Sequence, residues 1–279
     1  MYHNMRSEWF QAEQMVLKET GNMNVLITSG GTIEKIDEVR SITNMSTGRL
    51  GSLIADAFGA ESCVDKVIYV CGRTAIRPLT GKAEVVPIGD VSDLENALKK
   101  VFTGTEIDII VHSMAVSDYR IKSVTSAAAL SDHIASNMGS LNKHDRGATE
   151  AEIASLLQSN MPDMRTGGKI GSDVDDMLLV MERTPKVIAL FKSLAPQSTL
   201  VGFKLLHNVP KPELIDEGFR ILEKNGCSFV LANNLTEITN DQHIGYIIDR
   251  SKNYTRYSTK AEIAAAIVSN TIKERGVMQ

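Results

Sequence analysis

Asn24–Thr28 (N-V-L-I-T) is a short, unbroken apolar run that stops abruptly at Gly30-Gly31. Such a run is too brief for a helix and apolar on both of its alternating faces. It therefore reads as a strand buried in a covered, mostly parallel sheet. The pattern repeats along the chain. Lys66–Val70, Glu84–Ile88, Ile107–His112, Asp176–Glu182, Thr199–Phe203 and Cys227–Ala232 are further strand-like runs. Helix-period segments separate most of them: Gly48–Phe58, Val91–Val101 behind a capping Asp90, Pro185–Leu194 with proline in its first turn, and Pro212–Asn225 closed by Gly226. Ile244–Asp249 and Tyr254–Tyr257 flank a turn and read as a hairpin, and Thr259–Arg275 is a last amphipathic helix. Strands alternating with helices imply an α/β fold: a Rossmann-like three-layer sandwich with a mostly parallel sheet and helices on both faces.

Two stretches break the alternation. Residues 1–23 are polar and mildly amphipathic, an extension that is either a short helix over Ser7–Glu19 or partly disordered. They lack the apolar stretch and cleavage site of a secretory signal. Ser123–Gly168 is rich in Ser, Ala, Gly, Asn and Asp and is read as a flexible insertion or flap, with a short helix at Thr149–Ser159. The expected organisation is thus an extension over 1–23 and one domain over 24–279 that carries this insertion.

Composition narrows the function. A formal net charge of -4 over 279 residues gives no basic surplus for nucleic acid or an anionic membrane. No apolar run approaches the roughly 20 residues of a membrane-spanning helix. Cys63, Cys71 and Cys227 stand far apart and form no C-x-x-C pair, which suits reduced thiols in a cytoplasmic protein. No second histidine stands at metal-ligand spacing from His112, so no protein-bound metal is expected.

In a doubly wound sheet, ligands bind beyond the carboxyl ends of the strands. Five candidate motifs lie at or near such ends. Thr28–Thr32 (T-S-G-G-T), with Gly30, is either a tight turn or a place where backbone N–H groups approach an anion. Ser46, Thr47 and Gly48 open a helix, as an ordinary cap or as an anion seat, and Asn44 just before them can donate to a developing oxyanion. Asp118, in A-V-S-D-Y-R, accepts from a ribose or base, or shapes a turn. Lys169, in G-G-K-I-G-S, either folds over phosphates or is a solvated loop lysine. Phe203 can wall a base, and Arg220 and Lys224 either grip phosphates or line a solvated helix face. Neither G-x-G-x-x-G nor a Walker A motif occurs, which weighs against a nicotinamide-dependent reductase on a similar sheet.

Over Leu26–Gly51 the chain reads L-I-T-S-G-G-T-x-E-x-I-D-x-V-R-x-I-T-N-x-S-T-G-x-L-G. This block resembles the phosphopantothenoylcysteine synthetase family, in its stand-alone form, and A-V-S-D-Y-R and V-G-F-K support the likeness. The resemblance implies a ligase of coenzyme A biosynthesis. It activates the carboxylate of 4'-phosphopantothenate with CTP, or with ATP as in animal enzymes, and condenses the acyl-nucleotide with cysteine. Magnesium accompanies the triphosphate, no flavin is implied, and the enzyme is a homodimer to which the hairpin arm contributes. By the same likeness Asn44 contacts the acyl intermediate and Arg40 binds phosphopantothenate. His112, Ser113 and Met114 line the nucleotide site through backbone, and Asp118 meets the nucleotide. Lys169 is the flap lysine, Pro185, Lys186, Val187 and Ile188 read the base edge, and Phe203, Arg220 and Lys224 contact base and phosphate. Two departures stand out: Gly171 and Ser172 replace flap lysines, and Arg220 replaces a lysine that it does not duplicate chemically. The weakened flap also motivates an alternative, a catalytically inactive nucleotide sensor on the same fold.

Overall fold

A computed structural model describes residues 22–137, 146–158, 161–239 and 242–276. The helix expected at Ser7–Glu19 lies outside the described residues. The chain divides into two compact units. One comprises Met1–Thr32, Met45–Val116 and Lys186–Gln279, the other Ile33–Asn44 and Ser117–Pro185.

The larger unit is built on an eight-stranded sheet. Its parallel part consists of β1 (Met23–Ser29), β4 (Val64–Gly72), β5 (Ala83–Ile88), β6 (Ile109–His112), β9 (Thr199–Leu206) and β10 (Phe229–Asn234). The hairpin of β11 (Gly245–Ile248) and β12 (Tyr254–Tyr257) extends the sheet antiparallel from β10, giving the order β12-β11-β10-β9-β6-β1-β4-β5. From β1 the chain winds outward through β4 to β5, then returns to the other side of β1 as β6. The winding reverses between β1 and β6, and their carboxyl ends, Ser29 and His112, flank the crevice such a reversal opens.

Residue alternation along each strand explains the layers. Val25 and Ile27 of β1 join Val67, Tyr69, Val111 and Val201 in one apolar layer. That layer is covered by Ile54 and Phe58 of α1 (Arg49–Ala60) and by Ile263 and Ile267 of α7 (Lys260–Glu274). Leu26, between Val25 and Ile27, points the other way. It joins Ile68, Val70, Ile110, Leu200 and Val230 under α2 (Val91–Gly104), α5 (Ile188–Leu194) and α6 (Lys211–Asn225). The three-layer α/β expectation is therefore met. Asp90 caps α2 by accepting from the Asp93 amide. Gly226 ends α6 at φ 63°, and Thr259 forms a capping box with Glu262 at the start of α7.

The smaller unit holds a hairpin of β2 (Ile33–Lys35) and β3 (Ser41–Thr43), and an antiparallel pair of β7 (Tyr119–Ser126) and β8 (Met177–Arg183). It also holds α3 (Ala127–Asn137) and α4 (Arg146–Gln158). Ile121, Val124 and Ile170 form its small core, with Ile36, Ile42, Met177 and Leu179 packed on them.

Three sequence expectations change here. Asp176–Glu182 is a strand, but β8 pairs with β7 rather than joining the parallel sheet. Its exposure alternates, because a two-stranded sheet is covered on one face only. Ser123–Gly168 begins inside β7 and continues into α3, so its first part is regular structure whose apolar residues are too few to read as core. Pro185 is not in a helix: the Thr184 amide donates to Asp118 O at 3.0 Å, and α5 begins only at Ile188.

Gly218 shows how closely α6 lies on the sheet. A Cβ there would stand 2.5 Å from Ile248 Cδ1 and 3.2 Å from Ala232 Cβ. Gly218→Ala is expected to lower stability by about 1–3 kcal/mol through overpacking, despite alanine's better helix propensity. Urea unfolding checks this, and an equal or raised midpoint would show that the helix has room to move.

Candidate functional site at the strand ends

In the larger unit, β1 ends in Ser29 and Gly30, where φ is 78°. β6 ends in His112, followed by Ser113 and Met114. The two exits are laced together. Ser113 N donates to Thr28 O at 3.0 Å, Ala115 N to Gly30 O at 2.8 Å, and Thr32 N to Ala115 O at 3.3 Å. The Ser113 hydroxyl also donates to Thr28 O, at 2.8 Å. Backbone groups, not side chains, thus define the floor of the crevice.

The start of α1 is set against this floor. Its N-cap is Gly48, left-handed at φ 72°, and no side chain caps it. Ser46 and Thr47, the expected caps, lie before the turn, and the contact from Arg49 N to Thr47 Oγ1 is long at 3.4 Å. The Ser29 hydroxyl fixes the turn by donating to Gly48 O at 3.1 Å. The close approach is possible because Gly51 lacks a side chain: a Cβ there would be 2.2 Å from Ser29 Oγ and 2.8 Å from Ser113 Oγ. A helix first turn without a side-chain cap, beside two strand ends, has N–H groups that an anion can satisfy. Ser29, inside the T-S-G-G-T motif, and Gly51, at the end of the Leu26–Gly51 block, were not singled out individually, although the T-G-x-L-G spacing carries the signal.

His112 is a satisfied buried residue. Its Nδ1 and the Thr28 hydroxyl share a hydrogen bond of 2.7 Å, and its ring packs edge-on against Phe191 at 5.0 Å. Burial pushes its pKa down to about 4, so the imidazole is neutral at ordinary pH. Met114 is buried and Ser113 half-buried. Further along the sheet, Ile188 at the start of α5 reaches β9, where its Cδ1 stands 3.3 Å from the position a Cβ would take on Gly202. Phe203 follows Gly202 and, half-buried, packs on the opposite face of the sheet in the layer under α1 and α7. Ile188 packs in the layer of α2, α5 and α6, so the two lie on opposite faces. Val187 is buried and Lys186 exposed. Arg220 and Lys224 are not brought to the strand ends. Both are exposed in the second half of α6, which runs back toward the start of β10, and Arg220 is paired with Glu217 at 2.6 Å.

The smaller unit carries the other candidates. Asn44 and Asp118 are exposed, and Pro185 is exposed beyond β8. Arg40 and Lys169 are brought together. Arg40 Nη2 donates to Ile170 O at 3.0 Å, which puts the guanidinium beside the residue next to Lys169. Both Arg40 and the Ile170 amide are held by Asp37, another residue the sequence reading did not single out. Among the described residues no cluster of three or more His, Cys, Asp or Glu side chains could hold a metal ion. No helix among them is long and apolar enough to cross a membrane.

Neutral, buried His112 makes a pH prediction. Unfolding lets the imidazole take a proton below its ordinary pKa of 6.5, which the folded state resists down to about 4. Stability should therefore fall as pH drops from 6.5 to 4, by up to about 3 kcal/mol from this group. His112→Gln is expected to flatten that limb in urea unfolding measured across the window. An unchanged slope would place the acid sensitivity elsewhere.

Comparison with known proteins shows what this chain is similar to. Residues 20–133 match the family described as DNA/pantothenate metabolism flavoprotein C-terminal domain. The chain is 27% identical over 259 residues to the Coenzyme A biosynthesis bifunctional protein CoaBC of Methanocaldococcus jannaschii, covering 92% of this chain and 52% of that protein. This chain thus spans about half the length of the curated relatives it matches. The crystal structure of the DNA/pantothenate metabolism flavoprotein from Streptococcus pneumoniae aligns with a TM-score of 0.73 at 29% identity, covering 90% of this chain and 99% of that one. The Cab2 H337A mutant in complex with phosphopantothenate-cysteine shares the fold, with a TM-score of 0.61 at 17% identity, covering 98% of this chain and 92% of that one. The resemblance to phosphopantothenoylcysteine synthetases carried by Leu26–Gly51 is thereby borne out, within the block that the flavoprotein C-terminal domain family matches and in a chain that folds like its structural relatives.

Proposed function

We propose that this chain is a phosphopantothenate–cysteine ligase that joins 4'-phosphopantothenate to cysteine using a nucleoside triphosphate. The observation that carries the proposal is the uncapped, Gly48-turned start of α1 set against the ends of β1 and β6, inside the sequence block that matches the family. The likeness to a coenzyme A biosynthesis protein over 259 residues supports the choice of substrates.

The chemistry follows from the weakness of a carboxylate as an acyl donor. A carboxylate oxygen of 4'-phosphopantothenate attacks the α-phosphorus, the bond to pyrophosphate breaks, and an acyl-nucleotide forms. The cysteine amine then attacks the acyl carbon, loses its proton, and the nucleoside monophosphate leaves. Both steps build negative charge on oxygen, which fixed donors stabilise. In this reading the Asn44 amide donates to the acyl oxygen, and the N–H groups at Gly48–Gly51 and Lys169 hold phosphate oxygens. Arg40 grips the phosphate of the acid. Asp118 meets the ribose, Phe203 walls the base, and Pro185, Lys186, Val187 and Ile188 read its edge. Lys169 carries the flap charge without the lysines that Gly171 and Ser172 replace.

Magnesium belongs with the triphosphate. Such an ion keeps most of its ligands as phosphate oxygens and water. CTP is the preferred triphosphate in this proposal over ATP. The reaction has no redox step and requires no flavin. A cytoplasmic homodimer, with the β11–β12 hairpin at the sheet edge as one contact, completes the reading.

A pyrophosphate-release assay with CTP or ATP tests it. Release is expected only when triphosphate, 4'-phosphopantothenate and cysteine are all present, and faster with CTP. Asn44→Asp is expected to lower kcat by about 100-fold, the scale for losing one oxyanion donor, while triphosphate affinity changes little. Binding of triphosphate with no turnover would instead favour a nucleotide sensor, and full turnover in Asn44→Asp would remove Asn44 from the chemistry.

A further inference from the structure

Asp37 has no role in the reading above, yet both of its carboxylate oxygens are hydrogen-bonded. It lies in the turn between β2 and β3, 6% exposed as a residue, with its side chain fully covered. One oxygen does what an Asx turn requires: Oδ1 accepts from Val39 N at 2.8 Å and from Arg40 N at 2.7 Å. The second oxygen does more. Oδ2 accepts from Arg40 Nε at 3.0 Å, from Arg40 Nη2 at 2.6 Å and from Ile170 N at 3.2 Å. Arg40 Nη2 then closes a ring by donating to Ile170 O at 3.0 Å.

A carboxylate is costly to bury unless its charge is matched. Here the Arg40 guanidinium, aided by three backbone N–H groups, holds the acid well below the usual carboxylate range. The pairing therefore persists through any ordinary pH. A hairpin needs only Oδ1. The Oδ2 bond from Ile170 N reaches across 133 positions of sequence to the segment that carries Lys169. Ile170 is itself buried in the small core beside Ile121 and Val124, so the segment is pinned at that point. Lys169, one residue earlier, stays exposed, and 38% of the Arg40 side chain is open to solvent. Two cations thus face outward from one covalently distant but hydrogen-bonded frame. Their aim depends on Asp37.

We propose that Asp37 is a positioning residue: its carboxylate locks Arg40 and the Lys169 segment into a single anion-gripping frame for the phosphorylated acid. This rests on the ligase reading for the identity of the anion. Without the second charged oxygen, Arg40 loses the one acceptor that its Nε and Nη2 share, and the Ile170 amide loses its acceptor. The guanidinium then samples several orientations, and the bound phosphate meets a cation in the right place only part of the time.

The test uses the full-length Asp37→Asn variant, which keeps size and the Oδ1 turn but removes the charge. In pyrophosphate release, KM for 4'-phosphopantothenate is expected to rise about tenfold or more, while KM for cysteine stays within about twofold. A residue that merely holds the fold would reduce the active fraction and leave both KM values alone. An unchanged KM for the phosphorylated acid in the folded variant overturns the proposal. Hydrogen exchange at the Ile170 amide separates this from failure of the ligase reading. Exchange is expected to be about tenfold faster in Asp37→Asn even if the wild-type protein releases no pyrophosphate, and equal exchange overturns the frame itself. If Asp37→Asn does not fold, Arg40→Lys reads the same linkage from the other partner. Lysine keeps the charge but not the fork, so the same loss of Ile170 protection is expected, and its absence sinks the proposal.

Discussion

The candidate site depends on one close approach: the first turn of α1 against the ends of β1 and β6. Gly51 stands where any Cβ would run into Ser29 and Ser113. Gly48, at φ 72°, turns the chain so that the helix starts there without a side-chain cap. The Ser29 hydroxyl holds the turn through Gly48 O. Because the winding of the sheet reverses between these two strands, the crevice at their ends is the place where a doubly wound fold leaves room for a ligand. The N–H groups and dipole of a helix act mainly within its first turn, so this close packing fixes which strand ends they serve.

The fold was legible where burial is two-sided. β1, β4, β6 and β9 are continuous apolar runs because helices cover both faces, and Asp90 and Gly226 mark helix ends by chemistry that is local in sequence. Legibility failed in the smaller unit. β2 and β3 are three residues each and carry Glu34, Lys35 and Ser41, so no period can be read from them. β7 includes Ser123 and Thr125, polar residues that are nonetheless buried, which hides it from a hydrophobic pattern. The run at Met177–Met181 looked like a strand of the main sheet because composition does not say which partner a strand will choose.

Site residues split in the same way. Gly30 follows from a rule that ties ligands to strand ends, Gly48 from a readable helix start, and His112, Ser113 and Met114 from the family resemblance; the fold gathers them at β1, β6 and α1. Asp37 was passed over because its partner Ile170 is remote in sequence, and only folding reveals that Oδ2 bonds. Arg220 and Lys224 looked paired because they are one helical turn apart, yet spacing on a helix says nothing about which end of the sheet that turn faces.

The central claim is that backbone N–H groups at the Gly48 turn seat an anionic phosphate, and calorimetric titration of CTP into the wild-type protein and into Gly48→Ala tests it most directly. A left-handed alanine costs about 1–2 kcal/mol, so the variant should either deform the turn or lose part of its folded stability. The account predicts that CTP binds the wild-type protein and that affinity drops about tenfold or more in a Gly48→Ala variant that still unfolds cooperatively. Equal affinity in the two proteins, or a wild-type protein that binds no triphosphate, would contradict it.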